Sequence, residues 1–245
     1  ELVGESALVA VSGKVNFNVI NKNGETKQGT PNESFVISNG DKIDILSTIN
    51  SVYGYLSILG GFKLKEIKGS VSTLVKAKIG PNNGDKLKID DKIFFTKSNS
   101  AGETKKIEFE FDADNTIRVM KGSQFGYFSK KSQQYFFSKE YKVTRLTDRM
   151  GMRLEGEKLE NMVSKNMKSE GITKGSIQIP GDGQPIVLLS DHPTIGGYPK
   201  IANVITADYD KLVQKIQGSK IKFKLVDLVV AESAFQDYIA RFNNF

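Results

Sequence analysis

The polar residues best suited to chemistry are concentrated between positions 147 and 200. In the stretch TDRMGMRLEG, residues 147–156, Asp148, Arg149 and Arg153 surround Gly151, and glycine permits a sharp turn. Two guanidinium groups at this spacing could converge on a carboxylate or a phosphate, because the planar arginine fork binds such groups through paired hydrogen bonds. The alternative is an Asp–Arg salt bridge that only braces the turn. The spacing alone leaves both interpretations open.

A second polar segment, residues 175–208, contains the glycine turns PGDGQP and GGYP. Glycine at these turns lets backbone N–H groups approach a ligand closely, as an oxyanion or carboxylate site requires, although such turns also simply connect strands. The candidate ligand contacts flank or form the two turns: Gln178, Asp182, Gln184, Asp191, Thr194, Gly196, Gly197, Tyr198 and Lys200. We expect these residues to form one site if the two turns meet at one end of a sheet.

Several enzyme classes are excluded by missing motifs. The sequence has no Walker A loop, no Rossmann glycine fingerprint, no HExxH and no GxSxG, so ATP binding by this chain alone is not supported. It has no cysteine, and its one histidine, His192, cannot build a multi-histidine metal site. We therefore expect no metal, and we expect any catalysis to rest on Asp, Arg, Lys, Tyr, Gln and backbone groups.

One tripeptide, Val119-Met120-Lys121, is similar to the sequence around the biotinylated lysine of biotin carrier domains. The carrier motif has methionine on both sides of the lysine and lies in a hairpin, whereas Gly122 follows the lysine here. We therefore do not interpret Lys121 as a biotin attachment site.

The composition is that of an ordinary globular protein. The chain has 245 residues, 38% of them hydrophobic, and a formal charge of +7 from 35 basic and 28 acidic residues. Lysines alternate along the chain, as at Lys220, Lys222 and Lys224, which is typical of the solvent face of a strand. No nucleic-acid motif accompanies them. With no apolar run long enough for a membrane span and no signal peptide, we expect a cytoplasmic protein.

The elements that must position these residues are mostly strands. The stretch VNFNVI, residues 15–20, alternates apolar and polar positions, and turn pairs such as Asn23-Gly24 recur, so strands alternate with turns from residue 7 to about 120. A short helix is expected within residues 124–140, and an amphipathic helix from Ala231 is expected to pack on its own domain. This pattern predicts a barrel or sandwich, with a domain boundary near 118 that separates residues 1–118 from 119–245.

Three stretches occur in an order typical of one known family: DRMGMRLEG, GSIQIPGDGQPIVLLSD and TIGGYPKIANVITAD. In the first half, YLSILGGFKLKEIKGSVST and GDKLKIDDKI match as well. From about residue 7 to 228 the sequence resembles the family of the C subunit of 5-oxoprolinase. This carboxyltransferase-like family also includes the KipI antagonist (allophanate hydrolase subunit 2) and the carboxyltransferase part of urea carboxylase.

The sequence departs from this family in two places. Family members begin with an additional N-terminal segment, which this sequence lacks, so half of the site is expected to be absent. Many relatives also read Asp-Arg-Gln-Thr-Thr-Gly-Gly-Tyr-Pro where this chain has Asp191, His192, Pro193, Thr194 and Ile195 before its glycines. The family's side-chain roles are therefore not assigned to His192, Pro193 and Ile195.

The resemblance implies a mainly β fold of two tandem cyclophilin-like β-barrel domains with a few short helices. It also implies an ATP-dependent complex that hydrolyses 5-oxoproline to glutamate, formed with a KipI-like B subunit and a LamB/YcsF-like A subunit. In this hypothesis Asp148, Arg149, Arg153, Tyr198 and Lys200 are catalytic. The arginines hold a carboxylate or phosphoryl group, Asp148 orients them, Tyr198 or Lys200 assists proton transfer, and the glycine amides bind an oxyanion. The proposed substrate contacts are Gly151, Gln178, Asp182, Gln184, Asp191, Thr194, Gly196 and Gly197.

Two other functions stay open. One is carboxyl transfer from carboxybiotin to urea or a related amide, in which biotin would be the cofactor. The other is a non-catalytic regulator that binds a KipI-type kinase inhibitor.

The missing phosphate-binding loop leads to a first prediction. We expect the purified chain alone neither to bind ATP tightly nor to hydrolyse 5-oxoproline, because it lacks the backbone cradle that such loops provide. Isothermal titration with Mg-ATP and an assay for released glutamate would measure this. Turnover by the isolated chain would contradict the prediction.

Overall fold

Short β-strands make up most of the regular structure. A computed structural model describes residues 1–97, 103–108, 114–162 and 167–243. Within them the chain divides into two compact units, Glu1–Phe109 and Glu110–Phe245. The predicted boundary at 118 lies later than this division, inside a strand of the second unit. The mainly β architecture with a few short helices is confirmed, while the assignment of both units as cyclophilin-like domains stays a prediction.

The first unit contains two three-stranded antiparallel sheets. The strands are β1 (Ala7–Ser12), β2 (Val15–Ile20), β3 (Thr26–Gln28), β4 (Ser34–Ile37), β5 (Lys42–Thr48) and β6 (Tyr55–Ile58). Their orders are β4-β1-β6 and β3-β2-β5. The predicted alternation holds in β2, where Val15 and Phe17 are buried and lie in a small apolar cluster with Val11.

The expected run of strands to about residue 120 stops early. Among the described residues of the first unit, β6 is the last strand, and the segment after it has a 3-10 turn and the short helix α1 (Pro81–Gly84). Five non-glycine residues in this segment have positive φ, which lies outside the extended conformation of regular strands: Lys68, Lys78, Asn82, Asn83 and Asp90. The segment IEFEFD, also expected to be a strand, lies partly outside the described residues.

The second unit is built around a closed seven-stranded barrel of order β11-β12-β9-β8-β15-β7-β14. Its strands are β7 (Thr116–Lys121), β8 (Glu140–Val143), β9 (Gly151–Glu155), β11 (Ser176–Gln178), β12 (Ile186–Leu188), β14 (Lys200–Val204) and β15 (Lys220–Leu225). A separate ribbon pairs β10 (Glu170–Gly171) with β13 (Ile195–Gly196). Pairing of β11 with β14 closes the barrel, and of its seven pairings only β15 with β7 is parallel.

Three helices complete the second unit: α2 (Lys130–Ser138), α3 (Thr206–Val213) and α4 (Leu228–Asn243). Ser129 caps α2, since its side chain accepts a hydrogen bond from the Ser132 amide. The C-terminal helix begins at Leu228, earlier than the predicted Ala231. It contacts α3, where the Tyr238 hydroxyl donates to Asp210 at 2.6 Å. No helix among the described residues is long and apolar enough to cross a membrane.

The barrel interior is filled by alternate residues of its strands. Met152 and Leu154 of β9 are buried, as are Ile221 and Phe223 of β15, while the residues between them face outward. Phe136 of α2 stacks on Phe223 with ring centroids 4.6 Å apart, which joins the helix to the barrel. This packing fixes which strand residues point away from the core and are available for polar contacts.

The stacked pair gives a second prediction. We expect Phe136→Ala to lower the free energy of unfolding by about 3–5 kcal/mol, because Phe136 is fully buried and its loss leaves a cavity. Urea denaturation followed by circular dichroism would measure this. Phe235→Ala is the control, since Phe235 is 38% exposed on α4, and we expect it to cost about 1 kcal/mol or less. Equal losses in the two variants would show that the core packing is misassigned.

Candidate functional site

The loop before β9 is shaped by Asp148. One Asp148 oxygen, Oδ1, accepts hydrogen bonds from the backbone N–H groups of Met150 at 2.8 Å and Gly151 at 3.2 Å. This is a local turn of the kind that aspartate side chains stabilise. The contact sets the direction in which the following strand, β9, leaves the loop.

Arg149 forms a two-pronged ion pair with Asp191. Its Nε lies 2.7 Å from Asp191 Oδ2 and its Nη2 lies 2.9 Å from Oδ1. The Asp191 amide also donates to the Arg149 carbonyl at 2.8 Å. The pair therefore ties the loop before β9 to the loop after β12. Half of the Arg149 side chain remains exposed, so the guanidinium both braces this junction and faces solvent.

Arg153 lies four residues further along, in the middle of β9. It is exposed between the buried residues Met152 and Leu154, so its side chain projects from the outer face of the barrel. Its backbone pairs with Ile186 of β12, and Ile186 pairs in turn with Gln178 of β11. Arg153 therefore shares a row of the sheet with Gln178, whereas Arg149 belongs to the loop junction.

A set of polar residues lies around Lys200. Gln124 and Glu170 are hydrogen-bonded to each other and to Lys200, and Gln178 is its partner in the sheet. We call Gln124, Glu170, Gln178 and Lys200 the Lys200 cluster. Gln178 ends β11 and pairs with Lys200 at the start of β14. Gln178 follows the buried core residue Ile177, so its side chain lies on the outer side of the barrel. There it is covered by the β10–β13 ribbon and is only 4% exposed.

An ion pair lies at the centre of the Lys200 cluster. The Lys200 Nζ donates to Glu170 Oε1, and Gln124 Nε2 donates to the same oxygen at 2.7 Å. The Lys200 side chain is 8% exposed and that of Glu170 is 41% exposed. The hydrogen bond and charge of Lys200, helped by Gln124, lower the pKa of the Glu170 carboxyl below its usual value. Glu170 is therefore held as an anion.

The GGYP turn closes over this cluster. Gly196 pairs with Glu170 across the ribbon, and a methyl group placed on Gly196 would lie 2.8 Å from Gln178 Nε2 and 3.0 Å from Ile172 Cδ1. Glycine is thus required here by close approach of the backbone to a side chain. The Tyr198 carbonyl accepts a long hydrogen bond, 3.4 Å, from Gln178, while half of the Tyr198 side chain is exposed.

The remaining candidates are spread over other loops. The Thr194 carbonyl accepts from the Ile172 amide, and His192 Nδ1 lies 2.6 Å from the Pro193 carbonyl. Asp182 Oδ1 accepts from the Gln184 amide at 3.0 Å, a contact within the PGDGQP turn.

The PGDGQP turn braces the far end of β9. The Gln184 side chain accepts from the Gly156 amide at 2.9 Å and donates to the Gly156 carbonyl at 3.1 Å. Gly156 lines a cavity of about 440 Å³ together with Lys131, Tyr135 and Glu157. The two glycine turns therefore have different contacts. The PGDGQP turn supports the end of β9 beside this cavity, and the GGYP turn covers the Lys200 cluster. That both turns, or Arg149 and Tyr198, line a single cleft stays a prediction.

Sequence reasoning missed Gln124 and Glu170. Neither residue lies within the two polar segments singled out as turns: Gln124 follows Gly122 and Ser123, and Glu170 lies in the polar stretch KSEG. A buried lysine demands a nearby anion. The sequence, however, does not say which carboxylate of the chain supplies it.

Most of the chain matches the model of one family. The family described as the carboxyltransferase domain, subdomain A and B, matches residues 2–225. The chain belongs to this family. Helix α4, which begins at Leu228, lies beyond the matched region.

The carboxyltransferase-domain chain is similar to several named proteins. It is 40% identical over 177 residues to the C subunit of 5-oxoprolinase from Haemophilus influenzae, covering 72% of this chain and 57% of that protein. It is 33% identical over 198 residues to the Escherichia coli protein of the same name, covering 81% and 64%. The chain thus spans about three fifths of the length of these relatives.

A solved structure shows the same fold. The crystal structure of the Kluyveromyces lactis urea carboxylase superposes with a TM-score of 0.83 at 26% identity, covering 97% of this chain and 23% of that chain. The urea amidolyase of Saccharomyces cerevisiae is 26% identical over 208 residues, covering 76% of this chain and 11% of that protein. The carboxyltransferase-domain fold therefore occurs both in proteins named for 5-oxoproline and in proteins named for urea.

The crowding at Gly196 gives a third prediction. We expect Gly196→Ala to lower the free energy of unfolding by about 1–3 kcal/mol, because the new methyl group overlaps the buried amide of Gln178. Gly171→Ala in the same ribbon is the matched control, since nothing lies within 4 Å of a methyl group there, and we expect a change within about 0.5 kcal/mol. Thermal unfolding of both variants provides the measurement. If the two substitutions cost the same, the ribbon does not pack on Gln178 as described.

Proposed function

We propose that this chain is part of an ATP-dependent 5-oxoprolinase complex that hydrolyses 5-oxoproline to glutamate. The observation that carries the proposal is the 40% identity over 177 residues to a protein named as the C subunit of 5-oxoprolinase. Membership of the carboxyltransferase-domain family and the Lys200 cluster support it. The urea-named relatives are 25–26% identical, which ranks them behind the two 5-oxoprolinase subunits in similarity.

The proposal includes partner subunits. The designation C implies an assembly of more than one kind of chain for the two relatives of that name. We propose a KipI-like B subunit and a LamB/YcsF-like A subunit as the partners, with the ATP used by the complex. No residue of this chain is assigned to ATP.

The chemistry of the lactam explains why polar donors are needed. The ring amide is stabilised by resonance, so its carbonyl must be activated before water attacks, and in our proposal ATP supplies this by phosphorylating the amide oxygen. Water then adds to the carbonyl carbon and the ring C–N bond breaks. The nitrogen takes a proton to become the amine of glutamate, and the carbonyl carbon is left as an acyl phosphate. A second water hydrolyses this acyl phosphate to the glutamate carboxylate and phosphate. Donors placed at the oxygen stabilise the charge that develops there.

Residues of this chain have distinct roles in the proposal. Lys200 and Gln178 present nitrogen donors at the GGYP turn, and the Gly196 and Gly197 amides are further donors to an oxyanion. Arg149, held by Asp191, and the exposed Arg153 bind the substrate carboxylate or the phosphoryl group. Asp148 and Gly151 shape the loop that carries Arg149. Tyr198 exposes half of its side chain and could exchange protons with the substrate.

Carboxyl transfer to urea or a related amide is the second candidate. It is favoured by the TM-score of 0.83 with the urea carboxylase structure. Biotin attachment at Lys121 does not fit this chain, because Lys121 ends barrel strand β7, pairs with Ala202 and places its ammonium over the Phe125 ring. Carboxybiotin would therefore have to be carried elsewhere.

A reconstituted complex tests the proposal. We expect this chain, mixed with a KipI-like and a LamB/YcsF-like protein, to release glutamate from 5-oxoproline only when ATP is present. Carboxylation of urea instead, with a carboxybiotin donor, would favour the second candidate. Tight binding of the KipI-like protein without any turnover would favour the regulator that the sequence left open.

Arg149 offers the sharpest variant for this assay. We expect Arg149→Lys to lower kcat/KM by at least about tenfold, because lysine keeps the charge but loses the two-pronged geometry. The control is Arg145→Lys in the same loop, where the side chain is exposed, and it should leave kcat/KM unchanged. A loss of thermal stability that parallels the loss of activity would mean that Arg149 only braces the junction with Asp191.

A further inference from the structure

Lys200 carries a charge in a place that water hardly reaches. Only 8% of its side chain is exposed, and burying an ammonium is unfavourable unless an anion and hydrogen bonds replace its hydration. Among the described parts of the chain, Glu170 is the one carboxylate paired with it. The position of Lys200 therefore depends on a residue 30 positions away in the sequence.

Gln124 connects to both members of this ion pair. Its Nε2 donates to Glu170 Oε1 at 2.7 Å, and its Oε1 accepts from the Lys200 backbone amide at 3.1 Å. Gln124 is itself 7% exposed, and Ser123 Oγ donates to its Oε1 at 2.9 Å. One amide side chain thus fixes the carboxylate relative to the strand that carries Lys200.

The ammonium is not saturated by these contacts. A lysine ammonium has three N–H donors, and one of them is used by Glu170. Among the described residues, Glu170 is the one hydrogen-bond partner of this ammonium. A ligand oxygen could take the other two N–H donors without displacing Glu170.

Glu170 is suited to a fixed charge and not to proton transfer. Its pKa is lowered first by the hydrogen bond from Lys200, then by the Lys200 charge and by Gln124. A carboxyl with a lowered pKa is fully ionised at neutral pH and is a poor general acid. Its contribution is to hold the lysine ammonium in place through a charge-assisted hydrogen bond.

We propose that Glu170 and Gln124 are positioning residues for Lys200, whose two remaining N–H donors bind a carboxylate or carbonyl oxygen of the substrate. The contacts among Glu170, Gln124 and Lys200 do not depend on which reaction the protein catalyses. Only the choice of 5-oxoproline as the substrate rests on the proposed function. In this proposal Lys200 acts as an oxygen-binding cation.

The first test does not need enzymatic activity. Acetic anhydride reacts only with an amine that it can reach, and the ion pair with Glu170 holds the Lys200 side chain where only 8% of it is exposed. We expect Glu170→Gln to release this side chain to solvent and to raise the rate of Lys200 acetylation about tenfold, measured by mass spectrometry under limiting acetic anhydride. Glutamine keeps an oxygen for both donors, so the fold should be preserved.

The matched control is Glu140→Gln. Glu140 pairs with Lys220 at 3.3 Å on the surface, where both side chains are more than half exposed. Because such exposed pairs contribute little, we expect acetylation of Lys220 to change less than about twofold. An unchanged Lys200 rate in a folded Glu170→Gln variant would overturn the proposal.

The second test uses the reconstituted complex. We expect Glu170→Gln and Gln124→Met to raise KM for 5-oxoproline at least about tenfold with a smaller effect on kcat, because the oxygen-binding donor is misplaced. Glu170→Asp should recover part of the loss, since it restores the charge. Unaltered KM values in both variants would overturn the assignment of a substrate oxygen to Lys200.

The two tests separate this inference from the proposed function. If Lys200 acetylation responds as expected but no complex turns over 5-oxoproline, the positioning role holds and the proposed function fails. If the complex is active and Lys200 acetylation is unaffected, the positioning role fails and the proposed function holds. Should either variant be unfolded by circular dichroism, the other variant carries the test.

Discussion

A lysine ammonium can leave water only where an anion and hydrogen-bond acceptors replace its hydration, and this constraint organises the candidate site. Lys200 begins β14, Gln178 ends β11, and their pairing is also the seam that closes the barrel. The carboxylate comes from Glu170 in the β10–β13 ribbon, so the ribbon must lie over the seam for Lys200 to be stable there. Gln124, just after β7, connects to both partners. The strand pairing that closes the barrel therefore also brings the residues of the candidate site together.

The apolar core makes this arrangement possible by fixing side-chain direction. Alternation along β9 sends Met152 and Leu154 inward and leaves Arg153 outside. On β11, the inward position of Ile177 places Gln178 on the outer side, where the ribbon covers it. If either strand slipped by one residue in register, its buried side chains would face outward and its outward-facing polar side chains would face the core. The polar chemistry of this unit therefore depends on hydrophobic register.

Arginine and lysine have different physical roles here. Arg149 binds Asp191 through two hydrogen bonds, and half of its side chain remains exposed. Its rigid, planar guanidinium therefore joins two loops and is also accessible to an anionic group. Lys200 is a point charge in a nearly dry setting, where it is held by a hydrogen bond to Glu170. 5-Oxoproline and urea, for which the relatives are named, both contain an amide carbonyl.

The sequence by itself determined the mainly β class, the family and the polar character of the segments around Arg149 and Lys200. These follow from local signals: alternation in strands, glycine turns and the stretches DRMGMRLEG and TIGGYPKIANVITAD. It did not reveal that β6, which ends at Ile58, is the last strand among the described residues of the first unit. Residues after it such as Lys78 and Asn82 adopt positive φ, which an alternating pattern does not show. Nor did the sequence show that the two glycine turns have different contacts. Gln184 of the PGDGQP turn is hydrogen-bonded to Gly156, whereas Gly196 of the GGYP turn packs on Gln178.

Only the tertiary structure decided the partners of the charged groups. Asp191 was a candidate from its turn, but its pairing with Arg149 depends on two loops meeting across 42 residues. Glu170 and Gln124 carried no local signal at all, and they join Lys200 only because the barrel closes at β11 and β14. The physical reason is that burial creates the demand for a counter-charge. Burial is set by packing between distant segments, which no short stretch of sequence specifies.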